Sequence, residues 1–205
     1  MKRRTFLASA SVATGALFTP SLVLADSFDD QMPDYNMPEE FAPREVRIKA
    51  NIEPYEIHVD PGQTALYWTL PNRKAIRYAV GIGRRGLYED GEFYVGRKAE
   101  WPRWTPTPAM IRREPEVYEK WADGMPGGLT NPLGARALYL YQPGRGDTML
   151  RIHGTHLPGT IGRQVSNGCA RLINPQMIEL YNLVPINTRV VLYPLPAPGH
   201  TVPTA

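Results

Sequence analysis

The sequence predicts a mostly β domain with two or three short helices. Short runs rich in aromatic and β-branched residues recur along the chain and are cut by Gly, Pro, Asn and Asp. Helical spacing is confined to two stretches. The chain has 205 residues and one cysteine, enough length for one domain with a real core and no route to an internal disulfide.

In chain order, residues 1–25 read as a secretory signal. Lys2, Arg3 and Arg4 form a positive start, a mildly apolar stretch follows, and Val23 and Ala25 are small residues suited to cleavage before Asp26. The Arg pair followed by Thr5, Phe6 and Leu7 resembles a twin-arginine signal, which implies a periplasmic location. The stretch is short, rich in small residues and broken by Pro20, which argues against a permanent membrane span. No Cys sits near the cleavage point, which excludes a lipoprotein signal.

The net charge of +3 follows from 23 Lys+Arg and 20 Asp+Glu. Three of those bases lie in 1–25, so the mature chain is formally neutral and gives no support for nucleic-acid binding. Residues 26–43 hold six acids and no base, whereas 44–205 hold 20 bases and 14 acids. The region 26–54, acidic and Pro-containing, reads as a flexible leader, and 194–205 as a flexible tail.

Between them, "YEIHVDPGQTALYWTLP" predicts two strands split by Asp60-Pro61-Gly62. "KAIRYAVGIG" alternates as a strand, and "GRRGLYEDGEFYVGRK" reads as a Gly-punctuated pair. "PAMIRREPEVYEKW" predicts one or two helical turns on either side of Pro115. "ARALYLYQ" and "TMLRIHG" are strands flanking a Pro-Gly loop. "NPQMIELYNLV" is the best helix, with Asn174 as cap, Pro175 at its first position, and Met177, Ile178, Tyr181 and Leu183 as its apolar face. "TRVVLYPL" closes the list of strands.

The chemistry concentrates in "RIHGTHLPGTIGRQVSNGCARLINP". The single Cys169 stands among small and polar residues, not in an apolar run. An unpaired Cys in an exported protein flags a reactive thiol. His153 offers an imidazole to take its proton, and Arg171 and a nearby helix N-terminus offer positive charge that lowers a thiol pKa. Gly168 allows close backbone approach to a substrate, and the N–H groups of Gly168 and Cys169 are candidate oxyanion donors.

This string resembles the active-site signature of the L,D-transpeptidase catalytic domain (YkuD-like), in which His-Gly-Thr is followed by Ser-x-Gly-Cys-x-Arg. "WPRWTPTPAMI", "GGLTNPLGARALYL" and "LYNLVPINTRVVL" resemble its enterobacterial-type members, and the likeness covers roughly residues 55–193. The resemblance implies a β-sandwich-like fold, no metal and no cofactor. It implies that Cys169 attacks the carbonyl of the third, L-configured centre of a peptidoglycan stem tetrapeptide. D-Ala then leaves, and the thioester passes to an amine. The acceptor is a second stem, an outer-membrane protein or lipoprotein, or a free D-amino acid; water would make the protein a carboxypeptidase. His153 is then the base, Gly154 supplies a carbonyl that orients its ring, and Ser166 hydrogen-bonds within the site. Arg171 orders the loop or holds a substrate carboxylate. His156, where an Asn is frequent, and Trp104 line the groove. Asn167 stands where many members have His, at a position whose backbone matters more than its side chain.

Plainer readings compete. His153, His156 and Cys169 are three soft donors, but the string has no paired Cys or acidic partner, and Arg171 beside a cation is unfavourable. His58 reads as structural, and Trp101 and Trp104 as core or groove wall. Arg84-Arg85 and Arg112-Arg113 read as solvated surface. A non-catalytic peptidoglycan-binding module is opposed by the intact His153, Ser166, Gly168, Cys169 and Arg171 set. Papain-like enzymes place Cys before His, and sortases need a Thr-Leu-x-Thr-Cys context that is missing here.

Overall fold

The computed structural model of the protein describes residues 28–197, so the signal assigned to 1–25 and His200 lie outside the described residues. The turn at Asp60 is explicit, since its Oδ1 accepts the N–H groups of Gly62 and Gln63 at 2.8 and 3.2 Å. It joins β2 (Ile57–Asp60) to β3 (Ala65–Leu70), which pairs antiparallel with β4 (Lys74–Ala79). On the outer side of β4 lies β1 (Arg44–Arg47), a strand drawn from the stretch expected to be leader.

The expected Gly-punctuated pair is instead a two-residue β5 (Ile82–Gly83) and one long strand, β6 (Gly91–Glu100), which do not pair with each other. β6 pairs with β11 on one side and β7 on the other, with a register shift against β7 between Val95 and Arg97, so its neighbours are non-local. The helical turns flanking Pro115 are α1 (Pro108–Arg113), capped by Thr107, and α2 (Pro115–Tyr118). Then β7 (Arg136–Gln142) and β8 (Gly146–Thr155) form an antiparallel hairpin. Residues 156–169 cross over and include β9 (Gln164–Ser166), which pairs with β5. The crossover delivers β10 (Ala170–Ile173) parallel to β8. After α3 (Asn174–Leu183), β11 (Arg189–Leu192) inserts between β2 and β6.

The main sheet runs β1-β4-β3-β2-β11-β6-β7-β8-β10. Its last strand returns to the chain leaving β4: Gly81 and Arg171 exchange both backbone hydrogen bonds, at 2.9 and 2.7 Å. The two halves of the sheet thus fold over one another in the β-sandwich-like manner, and one core fills the space. Ile57, Val59, Leu66, Trp68 and Tyr78 meet Val95, Leu138, Leu140, Ile152 and Leu172 there.

The helix α3 covers this core with a face that differs from the expected one. Met177 and Leu180 are fully buried, each contributing roughly 2 kcal/mol, whereas Leu183 is exposed. Asn174 is no cap. It is buried, its Oδ1 accepts the Ala135 N–H at 3.0 Å, and its Nδ2 donates to the Tyr35 hydroxyl at 2.9 Å.

Tyr35 belongs to the region expected to be a flexible leader, and that expectation is corrected. Tyr35, Met37 and Phe41 pack on Ala79, Ile161 and Ile173. Asp29 accepts two hydrogen bonds from Arg136, at 2.6 and 3.1 Å, and one from Trp101 Nε1 at 2.8 Å. One acid of this stretch, Asp29, meets a buried guanidinium, while Asp30, Asp34, Glu39 and Glu40 stay exposed. The tail also starts attached, with Arg85 donating to Pro196 O at 3.0 Å. Trp101 is therefore a seat for the leader, and His58 is held by Tyr193 and Glu56, each at 3.0 Å.

Arg136 is almost buried, and Glu100 at 3.5 Å is its more exposed second partner. Asp29→Ala should therefore destabilise the fold by about 1–3 kcal/mol, read as a shifted midpoint in urea unfolding. An unchanged midpoint would mean that the leader is not bound.

Candidate active site

The parallel pairing of β8 and β10 sets the site. Arg171 lies opposite His153, and Ala170 opposite Ile152. Ile152, Ala170 and Leu172 face the core, so His153 and Arg171 share the other face. Cys169 precedes the paired stretch by one residue and falls on that same face, about 7 Å along the strand direction from the level of His153. Both groups line a cleft of about 570 Å³.

His153 is buried, and its Nδ1 lies 2.6 Å from the Gly154 carbonyl oxygen. A carbonyl only accepts, so Nδ1 carries the proton and Nε2 keeps its lone pair as the basic atom. Burial pushes the His153 pKa down to about 3, with the Gly154 carbonyl opposing and Arg171 and Arg151 adding to the shift. Gly154 has no room for a side chain, since a Cβ there would stand 2.2 Å from Asn174 Oδ1.

Cys169 is half-buried. Burial pushes its thiol pKa up, opposed by the Arg151 backbone N–H, which hydrogen-bonds the sulfur, and by the charges of Arg151 and Arg171. The expectation of a thiolate prepared by positive charge is thereby corrected: desolvation outweighs the cations. The helix N-terminus does not help either, because the whole of β10 separates Cys169 from α3, beyond the reach of a terminal dipole. Burial thus favours the neutral form of both the thiol and the imidazole.

Ser166 ties the turn that carries Cys169. Its Oγ donates to the Cys169 carbonyl at 2.6 Å and accepts the Gly168 N–H at 3.2 Å. Gly168 N–H is thus occupied, and the expected oxyanion pair narrows to the Cys169 N–H. Gly168 has a φ of +125°, and a Cβ on it would stand 2.9 Å from the Leu87 carbonyl. The close approach it permits is to the protein's own backbone, not to substrate.

The side chain of Asn167, set aside in the sequence, is a junction. Its Oδ1 accepts from Arg113 at 2.7 Å and Arg84 at 3.4 Å, and its Nδ2 donates to the Tyr118 hydroxyl at 2.8 Å. Glu114 pairs with Arg84 and lies 3.5 Å from Arg113. Arg84 and Arg113, read as solvated surface, instead fasten α1 and α2 to the turn that carries Cys169. No residue spacing signals this, because the partners come from three separate segments.

The cleft wall includes Trp104 and Tyr118, whose ring centroids are 6.2 Å apart, with His156 and Leu157 beyond the end of β8. Four arginines, at 97, 103, 151 and 171, line it against one acid, Glu89, so the cleft favours an anionic ligand. Arg151 is engaged, with Asp147 at 2.6 and 2.9 Å and its guanidinium 4.1 Å from the Tyr139 ring centre. Of the residues read from the sequence as site residues, His153, His156, Trp104, Ser166, Asn167, Cys169 and Arg171 all line this cleft, while Gly154 and Gly168 back it.

A thiol and an orientable base on adjacent strands, facing a cationic cleft, define a cysteine acyl-transfer site. The family model of the YkuD L,D-transpeptidase catalytic domain matches residues 54–192, and the chain belongs to that family. The probable L,D-transpeptidase ErfK/SrfK of Escherichia coli is 35% identical over 150 residues, covering 72% of this chain and 46% of that protein. The chain spans about half the length of the curated relatives it matches first. A crystal structure described as a probable carnitine operon oxidoreductase from Brucella melitensis is 42% identical, with a TM-score of 0.52 over 77% of this chain and 96% of that one. A mutant Enterococcus faecium L,D-transpeptidase shares the fold, with 19% identity and a TM-score of 0.52 over 69% of this chain and 50% of that one.

Because burial raises the Cys169 thiol and holds His153 neutral, alkylation of Cys169 by a small neutral reagent should rise in one step centred above the ordinary thiol range of about 8.5. A rate plateau already present at pH 6 would instead reveal a standing thiolate–imidazolium pair.

Proposed function

We propose that the protein is a peptidoglycan L,D-transpeptidase. The observation that carries this reading is the placement of Cys169 and His153 on one face of the β8–β10 pair, inside a cleft lined by four arginines. A stem tetrapeptide, rich in carboxylates, suits that field.

The steps follow from the residues. The Cys169 sulfur forms a bond to the carbonyl carbon of the third stem residue while its proton passes to His153 Nε2. Nδ1 is held by the Gly154 carbonyl, so the Nε2 lone pair is free to take the proton as the sulfur–carbon bond forms. The developing oxyanion takes the Cys169 N–H. The tetrahedral centre collapses, the carbon–nitrogen bond to D-Ala breaks, and the imidazolium returns its proton to the departing amine. An acceptor amine attacks the thioester carbon, gives up a proton to His153, and the sulfur leaves and regains it. A stem amine yields a 3-3 crosslink. An amine of an outer-membrane protein or lipoprotein yields an anchored protein, and water yields a trimmed stem.

Incubating the mature protein with purified muropeptides tests this reading directly. The wild type should release D-Ala and gain on Cys169 the mass of the donor less D-Ala, and Cys169→Ala should lower turnover by at least about 10³-fold without unfolding. Retained turnover in that variant would remove Cys169 from the mechanism.

The same reading requires export. The Arg3-Arg4 start supports the twin-arginine route and a periplasmic location. Changing Arg3 and Arg4 together to Lys should leave the precursor in the cytoplasm on fractionation; normal export of that variant would assign another route.

A further inference from the structure

Buried polar atoms without partners are rare, because each forfeits its hydration for nothing. Among the described residues there are five: Arg136 Nε, Gln176 Oε1, His156 Nδ1, and Nε and Nη2 of Arg171. The last three belong to residues lining the catalytic cleft. Nε and Nη2 share one edge of the guanidinium, the edge that takes a carboxylate side-on through two parallel bonds. The other cations near the nucleophile turn are engaged: Arg151 by Asp147, Arg84 by Glu114, and Arg113 by Asn167. Arg171 alone among them holds a buried, unpaired carboxylate-binding edge.

Its position selects which carboxylate. Arg171 is the cross-strand partner of His153, on the same face, so the two side chains start about 5 Å apart. The leaving amine must sit against His153 Nε2, which returns its proton. In an α-amino acid the carboxylate is one carbon from that amine. It therefore falls beside the cross-strand neighbour of His153. The carboxylates on the acyl side of the donor lie across the scissile carbonyl, which is held at the level of Cys169 and not at that of Arg171.

We propose that Arg171 binds the free carboxylate of the residue that leaves, and so selects donors whose C-terminus directly follows the scissile bond. His156, whose Nδ1 is likewise buried without a partner, lines the same cleft. The inference rests on the acyl-transfer reading and adds its specificity residue. It also reaches the acceptor. The attacking amine enters where the leaving amine departed, so an acceptor bearing a carboxylate on the carbon that carries its amine regains the Arg171 contact. The D-centre of a stem diamino acid and a free D-amino acid have that group; a lysine side chain does not.

The test compares a tetrapeptide donor ending in D-Ala with the same donor ending in D-alaninamide, for the wild type, Arg171→Gln and Arg171→Lys. Cys169 alkylation by a small neutral reagent and the melting temperature report an intact site in each. The wild type should favour the acid over the amide on the order of 10²-fold in kcat/KM, and Arg171→Gln should bring that ratio near one by losing activity on the acid alone. Arg171→Lys, keeping charge but losing the two-bond edge, should fall between. With the acyl-enzyme formed, D-Ala should likewise resolve it faster than D-alaninamide. Equal wild-type turnover of acid and amide overturns the inference even where a variant fails to fold, and so does undiminished discrimination in a folded Arg171→Gln. Absence of D-Ala release from the acid donor by the wild type would overturn the acyl-transfer reading itself, and this inference with it.

Discussion

The parallel alignment of β10 on β8 is the constraint from which the rest of the site follows. It brings Arg171 level with His153 and leaves Cys169 on the same face one step before the ladder. A parallel neighbour cannot be reached by a tight turn, so the chain needs the crossover of residues 156–169, and that crossover supplies Ser166, Asn167 and Gly168. The same strand closes the fold, because Gly81 binds the free side of Arg171's peptide. Catalytic geometry and sheet closure thus share one four-residue strand. A one-residue slip would turn Cys169 and Arg171 into the core and Ala170 and Leu172 into the cleft, at the cost of burying a guanidinium among the side chains of the main core.

Within that frame the electrostatics run opposite to the simplest expectation for a reactive cysteine. The cations near the sulfur are real, but the surroundings are dry enough that neutrality wins for both thiol and imidazole. Charge appears only when a carbonyl carbon arrives to share it. The arginines divide accordingly. Arg151 is pinned by Asp147 and the Tyr139 ring and lends a fixed field, Arg84 and Arg113 are spent on holding α1 and α2, and Arg171 is left with its edge unpaired.

Strands set by local alternation and turn residues, such as β2 and β3 around Asp60 or β7 and β8, were legible in the sequence. Their signals are written in neighbouring residues. The elements that were not legible are defined by distant partners: β1, whose exposed residues carry no alternation; β10, whose four residues are hidden inside a motif read for chemistry; and β6, whose glycines suggested a hairpin. The leader was misread because composition reports what a segment lacks, not what the body offers it. Six acids and several prolines suggest a free chain until Arg136 and Trp101 are placed opposite Asp29. In the site, Cys169, His153 and Arg171 stood out because their types are chemical and their string is dense. The role of Asn167 did not, since its meaning lies in Arg84, Arg113 and Tyr118, residues that only the folded chain brings together.

Tyr35 gives the leader a further significance. Its hydroxyl takes one end of the Asn174 amide; the other end of that amide holds Ala135 N–H and stands where Gly154 leaves no space for a side chain. Gly154 in turn holds the imidazole through its carbonyl. The N-terminal segment is therefore joined to His153 by two hydrogen bonds and one close packing contact, between the Asn174 amide and Gly154. Whatever fixes the segment around Tyr35 in space, whether a neighbouring surface, a fusion or a support, bears through Asn174 on the backbone that orients the His153 ring. The leader is thus less a spacer than an outlying part of the mount on which His153 is set.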